Sequence, residues 1–193
     1  MNKIISILIL SVFLFSCEST QEHEERERAN FLNVHTSTDK FRKLSFYSGH
    51  SVTRLNETFP SHLKHSYQID AVTRDKSTTT YKIYLQDQYS SVSGSHYRVY
   101  DTAFDSNGSK MWVLDYDFDD WCYAGGCEYT VDVILGVSRK YLKDNSSGIT
   151  IKILDSVPIS TPFNDKDNSI LFNIPGEYIE NFLSKTQSIV KID

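Results

Sequence analysis

Residues 97–117 read Tyr-Arg-Val-Tyr-Asp-Thr-Ala-Phe-Asp-Ser-Asn-Gly-Ser-Lys-Met-Trp-Val-Leu-Asp-Tyr-Asp, and this stretch decides the fold. Two runs with alternating apolar and polar side chains, 97–105 and 110–117, flank Asn107 and Gly108. A period of two is typical of half-buried strands, and Asn-Gly supplies the positive φ angles of a tight primed turn. We therefore predict a β-hairpin here.

The same period of two recurs on both sides of this hairpin. It is found in residues 44–47, 67–71, 81–86, 129–135, 149–153 and 170–174. The segments are short, and they do not alternate regularly with helical segments. This pattern favours a mainly β fold, an antiparallel β-sandwich or open barrel, over a parallel α/β sheet.

Three helical segments are predicted beside these strands. Pro60 is suited to the first position of a helix over 61–65, and Ser138 is a suitable cap for a short helix that runs through Leu142. Pro175 is expected to open a C-terminal helix that packs on the sheet. Its apolar stripe consists of Tyr178, Ile179, Phe182 and Leu183.

The N-terminus has the features of a bacterial export signal. Lys3 precedes an apolar run from residue 4 to residue 15, which is too short to span a bilayer as a helix. The run ends in Leu14-Phe15-Ser16-Cys17, which resembles the lipobox of bacterial lipoproteins, although Phe15 is larger than the residue usual at its position. The resemblance implies a signal peptide over 1–16 and acylation of Cys17. An ordinary cleaved signal peptide with an incidental cysteine is the alternative.

Acylation would attach the protein to a membrane without a spanning helix. We expect residues 17–40 to comprise the acylated cysteine and an acidic tether, because 18–30 is rich in glutamate and almost without apolar side chains. Residues 41–193 are expected to form a single β-rich domain. The predicted location is the cell envelope, at the periplasmic or surface face of the outer membrane. A formal net charge of −5 and the lack of a basic stripe argue against nucleic-acid binding.

Two cysteines remain once Cys17 is acylated. Cys122 and Cys127 would lie in a compartment where disulfides persist, so a bond between them is predicted. Structural zinc would require a second pair of ligands at short spacing. Redox-active cysteines normally have two residues between them, whereas Cys122 and Cys127 have four. Both alternatives are therefore less favoured. His62 and His65 have the spacing of a metal-chelating pair on a helix. Two histidines at this spacing more often belong to a solvated face.

An acidic and aromatic stretch leads into the first of these cysteines. If the strand continues, Asp115, Asp117 and Asp119 share one face, close to Trp121 and Tyr123. These five residues are the predicted binding surface. Carboxylates could ligate calcium, although the EF-hand pattern is not matched, and aromatic rings beside acids also suit sugars. The alternative is a solvated end of a strand, whose acidic side chains discourage edge pairing with another chain.

A second resemblance covers residues 112–183. Its landmarks are Cys-x4-Cys-x-Tyr at 122–129, Gly-Ile-x-Ile-x-Ile at 148–153, and Ile-Pro-x-x-Tyr-Ile-x-x-Phe-Leu at 174–183. In this order they resemble a group of uncharacterised bacterial envelope lipoproteins. The resemblance implies a compartment and a fold, and it brings no activity with it.

The sequence leaves several functions open. It has no nucleophile elbow, no phosphate-binding glycine loop and no His-Glu-x-x-His, so we assign no catalytic residues and expect no cofactor or bound metal. The leading hypothesis is a non-catalytic binding or structural module of the envelope, with a protein or glycan partner. The alternatives are a wall-acting or glycan-acting hydrolase that uses the carboxylates of 115–120, and an inhibitor or immunity lipoprotein.

Overall fold

The computed structural model of the chain describes residues 29–56, 63–74, 78–91, 98–156 and 169–187. Within these ranges the chain forms one ten-stranded antiparallel sheet. The strands are β1 (Val34–Asp39), β2 (Leu44–Gly49), β3 (Val52–Asn56), β4 (Leu63–Arg74), β5 (Thr78–Ser91), β6 (Tyr100–Asp105), β7 (Lys110–Tyr123), β8 (Gly126–Val137), β9 (Gly148–Asp155) and β10 (Ser169–Pro175). Helix α1 (Arg139–Asp144) follows β8, and helix α2 (Gly176–Gln187) follows β10.

The sheet has the order β1-β2-β4-β5-β8-β7-β6-β9-β10, and β3 pairs with β4 beyond the end of β2. It curls into a half-barrel, and α2 packs against it. The predicted fold class, mainly β with an open barrel as one form and a short C-terminal helix, is confirmed. In the described part of the chain, no helix has the length and apolar character needed to cross a membrane.

The alternation seen in the sequence sorts the side chains between the two faces of the sheet. The inward positions of the central strands are buried, whereas their neighbours along each strand are partly exposed. Cross-strand registers bring these inward positions together, for example Ile69 opposite Ile83 and Ile83 opposite Leu135. The concave side of the sheet therefore carries the core, and the convex side faces solvent.

Helix α2 closes this core with its predicted stripe. Tyr178, Ile179, Phe182 and Leu183 are all buried. The ring of Tyr178 meets that of Tyr67 on β4 edge to face, with centroids 5.6 Å apart, and Phe182 meets Tyr81 on β5 at 6.5 Å. The C-terminal helix is therefore a structural part of the half-barrel.

The Tyr178 hydroxyl also joins the helix to a gap in the sheet. It accepts a hydrogen bond from the Ile69 amide (3.2 Å) and donates one to the carbonyl oxygen of His50 (2.8 Å), where β4 changes partner from β2 to β3. A Cβ atom on Gly49 would lie 2.3 Å from this hydroxyl oxygen, so the close approach requires glycine. Burial raises the pKa of Tyr178, so the hydroxyl remains protonated.

The predicted turn at Asn107-Gly108 is present, but it is not a primed turn. The Gly108 amide donates to the carbonyl oxygen of Asp105 (3.0 Å), and only Gly108 has a positive φ, of 75°. The carboxylate of Asp105 holds the loop by accepting the amides of Asn107 and Ser109, both at 2.9 Å. This side-chain cap favours a common turn followed by one left-handed glycine.

Two sequence predictions about segment boundaries are wrong. The tether was expected to reach residue 40, but residues 34–39 are strand β1 and pair with β2 in regular register. The predicted helix over 61–65 is also incorrect where the structure describes it, because residues 63–65 belong to β4. Residues 61 and 62, the signal peptide and residues 17–28 of the tether lie outside the described residues. The helix predicted from Pro175 begins at Gly176.

Two compact units divide the chain by its internal contacts. The first is Met1–Phe31, of which residues 29–31 are described and helical. The second is Leu32–Asp193, and it contains the whole sheet and both named helices.

Candidate functional site

Strand β7 brings the five predicted binding residues to one face. Asp115, Asp117, Asp119, Trp121 and Tyr123 are all exposed on the convex side of the sheet. Of the residues between them, Tyr116 and Phe118 face the core side and are only partly accessible, whereas Asp120 and Cys122, nearer the end of the hairpin, are exposed. The shared face expected for the three aspartates is therefore present, and we call these five residues the β7 face.

A bulge in β7 adds a sixth residue to this face. The pairing with β8 shifts between Val113 and Asp115, so Leu114 is inserted and Trp112 points to the same side as Asp115. Leu114 lies over Gly136, where a Cβ atom would be 3.1 Å from the leucine side chain. Trp112 is 74% exposed. Trp112 therefore lies at one end of the β7 face, and Trp121 and Tyr123 lie at the other.

The far end of the β7 face is fixed covalently. Cys122 and Cys127 oppose each other across the β7–β8 hairpin and form a disulfide, with their Cα atoms 4.0 Å apart. The rings of Trp121 and Tyr123 lie 5.7 Å apart and remain 68% and 49% exposed. The predicted disulfide is present, and it holds two exposed aromatic rings on a closed hairpin.

The β7 face is strongly acidic. Asp117 lies directly opposite Asp132 of β8, and Glu128 lies opposite Trp121. Two like charges in a cross-strand pair are unfavourable. Asp132 accepts a hydrogen bond from the Gln86 amide (2.9 Å), while the carboxylates of Asp115 and Asp117 accept the amides of the residues that follow them (2.9 Å each). Within the described ranges, no ion pair neutralises the three aspartates of this face.

The geometry of the face does not suit a metal ion. Same-face positions on a strand are about 7 Å apart, so neighbouring carboxylates do not converge on one cation. Among the residues that the structure describes, no group of three or more His, Cys, Asp or Glu side chains could hold a metal. His65, one of the two histidines at chelating spacing, lies on a strand with an aspartate as its neighbour, and His62 lies outside the described residues.

A second polar cluster lies on the core side and was missed by the sequence analysis. Asp87 is fully buried on β5, and its carboxylate accepts hydrogen bonds from the Tyr100 hydroxyl (2.6 Å) and from the Arg98 guanidinium (3.0 Å). His65 Nδ1 is 3.3 Å from the other carboxylate oxygen, in a geometry that forms no hydrogen bond. The available signal was the aspartate that interrupts the inward apolar series Tyr81, Ile83, Leu85, Asp87, Tyr89.

The tyrosines around Arg98 complete this cluster. The guanidinium lies over the Tyr89 ring, 4.4 Å from its centroid, and the Arg98 amide donates to the Tyr89 hydroxyl (2.7 Å). Burial raises the pKa of Tyr89 to about 12. Burial and the neighbouring Asp87 charge also raise the pKa of Tyr100. Both hydroxyls therefore remain protonated, and the cluster fastens the start of β6 to β5.

An open pocket of about 500 Å³ lies beside the Trp112 end of the β7 face. The β6–β7 turn contributes Asp105 and Lys110, and α1 contributes Tyr141. Both oxygens of the Asp105 carboxylate are already engaged, one by loop amides and the other by the Tyr141 hydroxyl at 3.3 Å. The Asp105 carboxylate therefore joins the turn to α1.

The carboxylates of the β7 face lie exposed along one strand. A glycosidase needs two carboxyl groups that face each other across a bound sugar, one of them with a raised pKa. On the β7 face the aspartates project side by side from the convex side of one strand. The arrangement instead offers negative charge between exposed aromatic rings.

Comparison of the chain with protein-family models, with curated proteins and with solved structures found no match.

Proposed function

We propose that this protein is a lipid-anchored, non-catalytic binding module of the cell envelope, and that its β7 face binds a protein partner which presents lysine or arginine side chains. The observation that carries the proposal is the β7 face itself. It combines exposed aromatic rings with three uncompensated aspartates on a hairpin closed by a disulfide. The outer membrane is the proposed location, and Cys17 is the proposed site of attachment.

Charge argues for a cationic partner. The pair formed by Asp117 and Asp132 is unfavourable in the free protein, and a lysine or arginine from a partner would relieve it. Aromatic anchors surrounded by polar groups are typical of the residues that dominate binding energy at protein interfaces. Trp121 and Tyr123 have this character, because a rigid tip presents both rings to solvent.

The binding proposal predicts that partner affinity and stability respond in opposite directions. Asp117→Asn is expected to leave the free energy of unfolding unchanged or to raise it by about 0.5 kcal/mol, because it removes a like-charge pair. The same change should slow association with the partner and weaken its dependence on salt. Trp121→Ala should weaken binding by about 30-fold, which is typical of an aromatic anchor.

The partner is first captured with a photoactivatable phenylalanine analogue at position 123 in intact cells, and affinities are then measured with the purified partner. Leu171→Ala is the matched control, because Leu171 is also an exposed apolar residue and lies on β10, away from the β7 face. Reduction of the disulfide, a loop closure worth about 2 kcal/mol, should weaken binding as well. Equal affinities for Trp121→Ala and Leu171→Ala would refute the proposal. Capture of a glycan and no protein would show that the partner is not a protein.

The anchor is tested separately at Cys17. The wild-type chain is expected to sediment with membranes and to be extracted by detergent, with acyl chains detectable by mass on residue 17. Cys17→Ser should lose this modification, since the acyl chains supply the membrane affinity. Growth with labelled fatty acid measures the difference directly. A Cys17→Ser chain that retains the label would show that the acyl chain is attached to another residue, and would contradict the proposed anchor.

A further inference from the structure

We propose that the turn between β1 and β2, residues 40–43, is a contact site for an anionic lipid surface. Its sequence is Lys40-Phe41-Arg42-Lys43, and all four side chains are exposed. Phe41 has a relative exposure of 101%, the largest among the exposed apolar residues of the described chain. An apolar ring among cations is the composition of segments that lie in the headgroup region of membranes.

Contacts within the turn hold Phe41 in a position that projects from the protein. One oxygen of the Asp39 carboxylate accepts the backbone amides of Phe41 and Arg42, both at 3.0 Å. The other oxygen lies 3.7 Å from the Arg42 Nε atom. Lys43 completes the turn in a left-handed conformation, with a φ of 53°. Because the backbone is already ordered, little conformational entropy is lost when the ring enters a lipid interface.

More positive charge lies at the same end of the sheet. Leu44, which follows the turn, pairs with Arg74 at the end of β4, and the adjoining β5 begins at Thr78. Helix α1 adds Lys140 and Lys143, and β7 begins at this end with Lys110. Among the residues that the structure describes here, the acidic ones are Asp39, the buried Asp105, Asp144 in its pair with Lys140, and Glu177 at the start of α2. This end therefore presents a surplus of exposed cations toward a negatively charged surface.

The opposite end of the sheet carries the disulfide tip. Strand β5 runs from Thr78, beside the cationic end, to Ser91, which pairs with Cys127. At about 3.3 Å for each residue, the two ends are about 40 Å apart. Lipid contact at residues 40–43 would thus direct Trp121 and Tyr123 away from the membrane, toward a partner.

Chain length allows the anchor and the turn to meet one membrane. Residues 18–28 alone can reach at most about 38 Å, whereas β1 measures only about 17 Å. Attachment at Cys17 would also raise the local concentration of lipid at the turn. This last step rests on the proposed lipid anchor, but the chemistry of the turn does not.

The test uses the full chain on vesicles of phosphatidylglycerol and phosphatidylethanolamine, with a photoactivatable phenylalanine analogue at position 41. We expect lipid adducts at position 41 and few or none with the analogue at position 171, the exposed apolar control on β10. Phosphatidylcholine vesicles should give a much lower yield. Equal lipid yields at the two positions, or equal yields on both kinds of vesicle, would overturn the proposal.

Neutralisation of the cations tests the electrostatic part. Lys40→Gln, Arg42→Gln and Lys43→Asn together should lower the docking equilibrium about 100-fold, because each cation near an anionic surface contributes about fivefold. Asparagine is chosen at position 43 because it tolerates the left-handed conformation. Lys64→Gln, at the opposite end of the sheet, is the control for Lys40→Gln alone. An unchanged lipid yield in the triple variant would contradict the proposal.

The anchor and the turn can fail independently. The mass of the wild-type chain reports acylation of Cys17 in the same sample, so an unmodified cysteine would refute the proposed anchor. Binding of the Cys17→Ser chain to vesicles in excess would still show whether residues 40–43 recognise anionic lipid, because the triple variant in the same background provides the reference.

Discussion

Replacing Asp87 by alanine is expected to lower the free energy of unfolding by about 3–5 kcal/mol, because it leaves the charge of Arg98 without its partner inside the protein. The Asp87 side chain is fully buried, and its carboxylate accepts hydrogen bonds from Arg98 and Tyr100. The alanine variant would lose both bonds and leave the Arg98 guanidinium, which is only 27% exposed, without a carboxylate partner. Urea denaturation followed by tryptophan fluorescence and circular dichroism measures the loss.

The control is Asp117→Ala, an aspartate on an exposed position of the same sheet, whose effect should stay within about 0.5 kcal/mol. Removing Asp87 and Arg98 together should cost less than the sum of the two single changes, since the double variant leaves no unpaired charge in this pair. If Asp87→Ala and Asp117→Ala had similar stabilities, the buried cluster would not fasten β6 to β5 as the structure indicates.

The strands of the core were predictable because each records its burial locally. Tyr129, Val131, Val133 and Leu135 alternate with more polar residues, and all four are buried. The disulfide was equally predictable, because only two cysteines follow Cys17 in the sequence. In both cases the signal lies within a few residues of chain and does not depend on which strands become neighbours.

Strand β1 had no such local signal. Its residues 35–38 are exposed, so no side-chain alternation distinguishes a strand from a solvated spacer. Pairing with β2 alone places it in the sheet. Asp87 is visible locally as an interruption of an apolar series, but its partners Arg98 and Tyr100 lie on a segment that only the folded sheet brings beside β5.

The candidate site could be predicted only in part, for a reason of register. Alternation within β7 correctly places Asp115, Asp117 and Asp119 on one face, but it places Trp112 on the other. The inserted Leu114 reverses that assignment. A bulge depends on contacts with the neighbouring strand, here the space above Gly136, which a single sequence does not reveal.

Replacing Phe182 by alanine is expected to destabilise the protein by about 3–5 kcal/mol, through lost burial and the cavity that remains beside Tyr81. Thermal and urea unfolding measure the change, and Glu180→Ala, an exposed position of the same helix, should have an effect within about 0.5 kcal/mol. A Phe182→Ala chain as stable as the control would show that α2 is not part of the core. Because α2 packs on the concave side, the convex β7 face should keep its partner affinity at temperatures where the variant is folded. A parallel loss of stability and affinity would instead place the binding site on the helix side of the sheet.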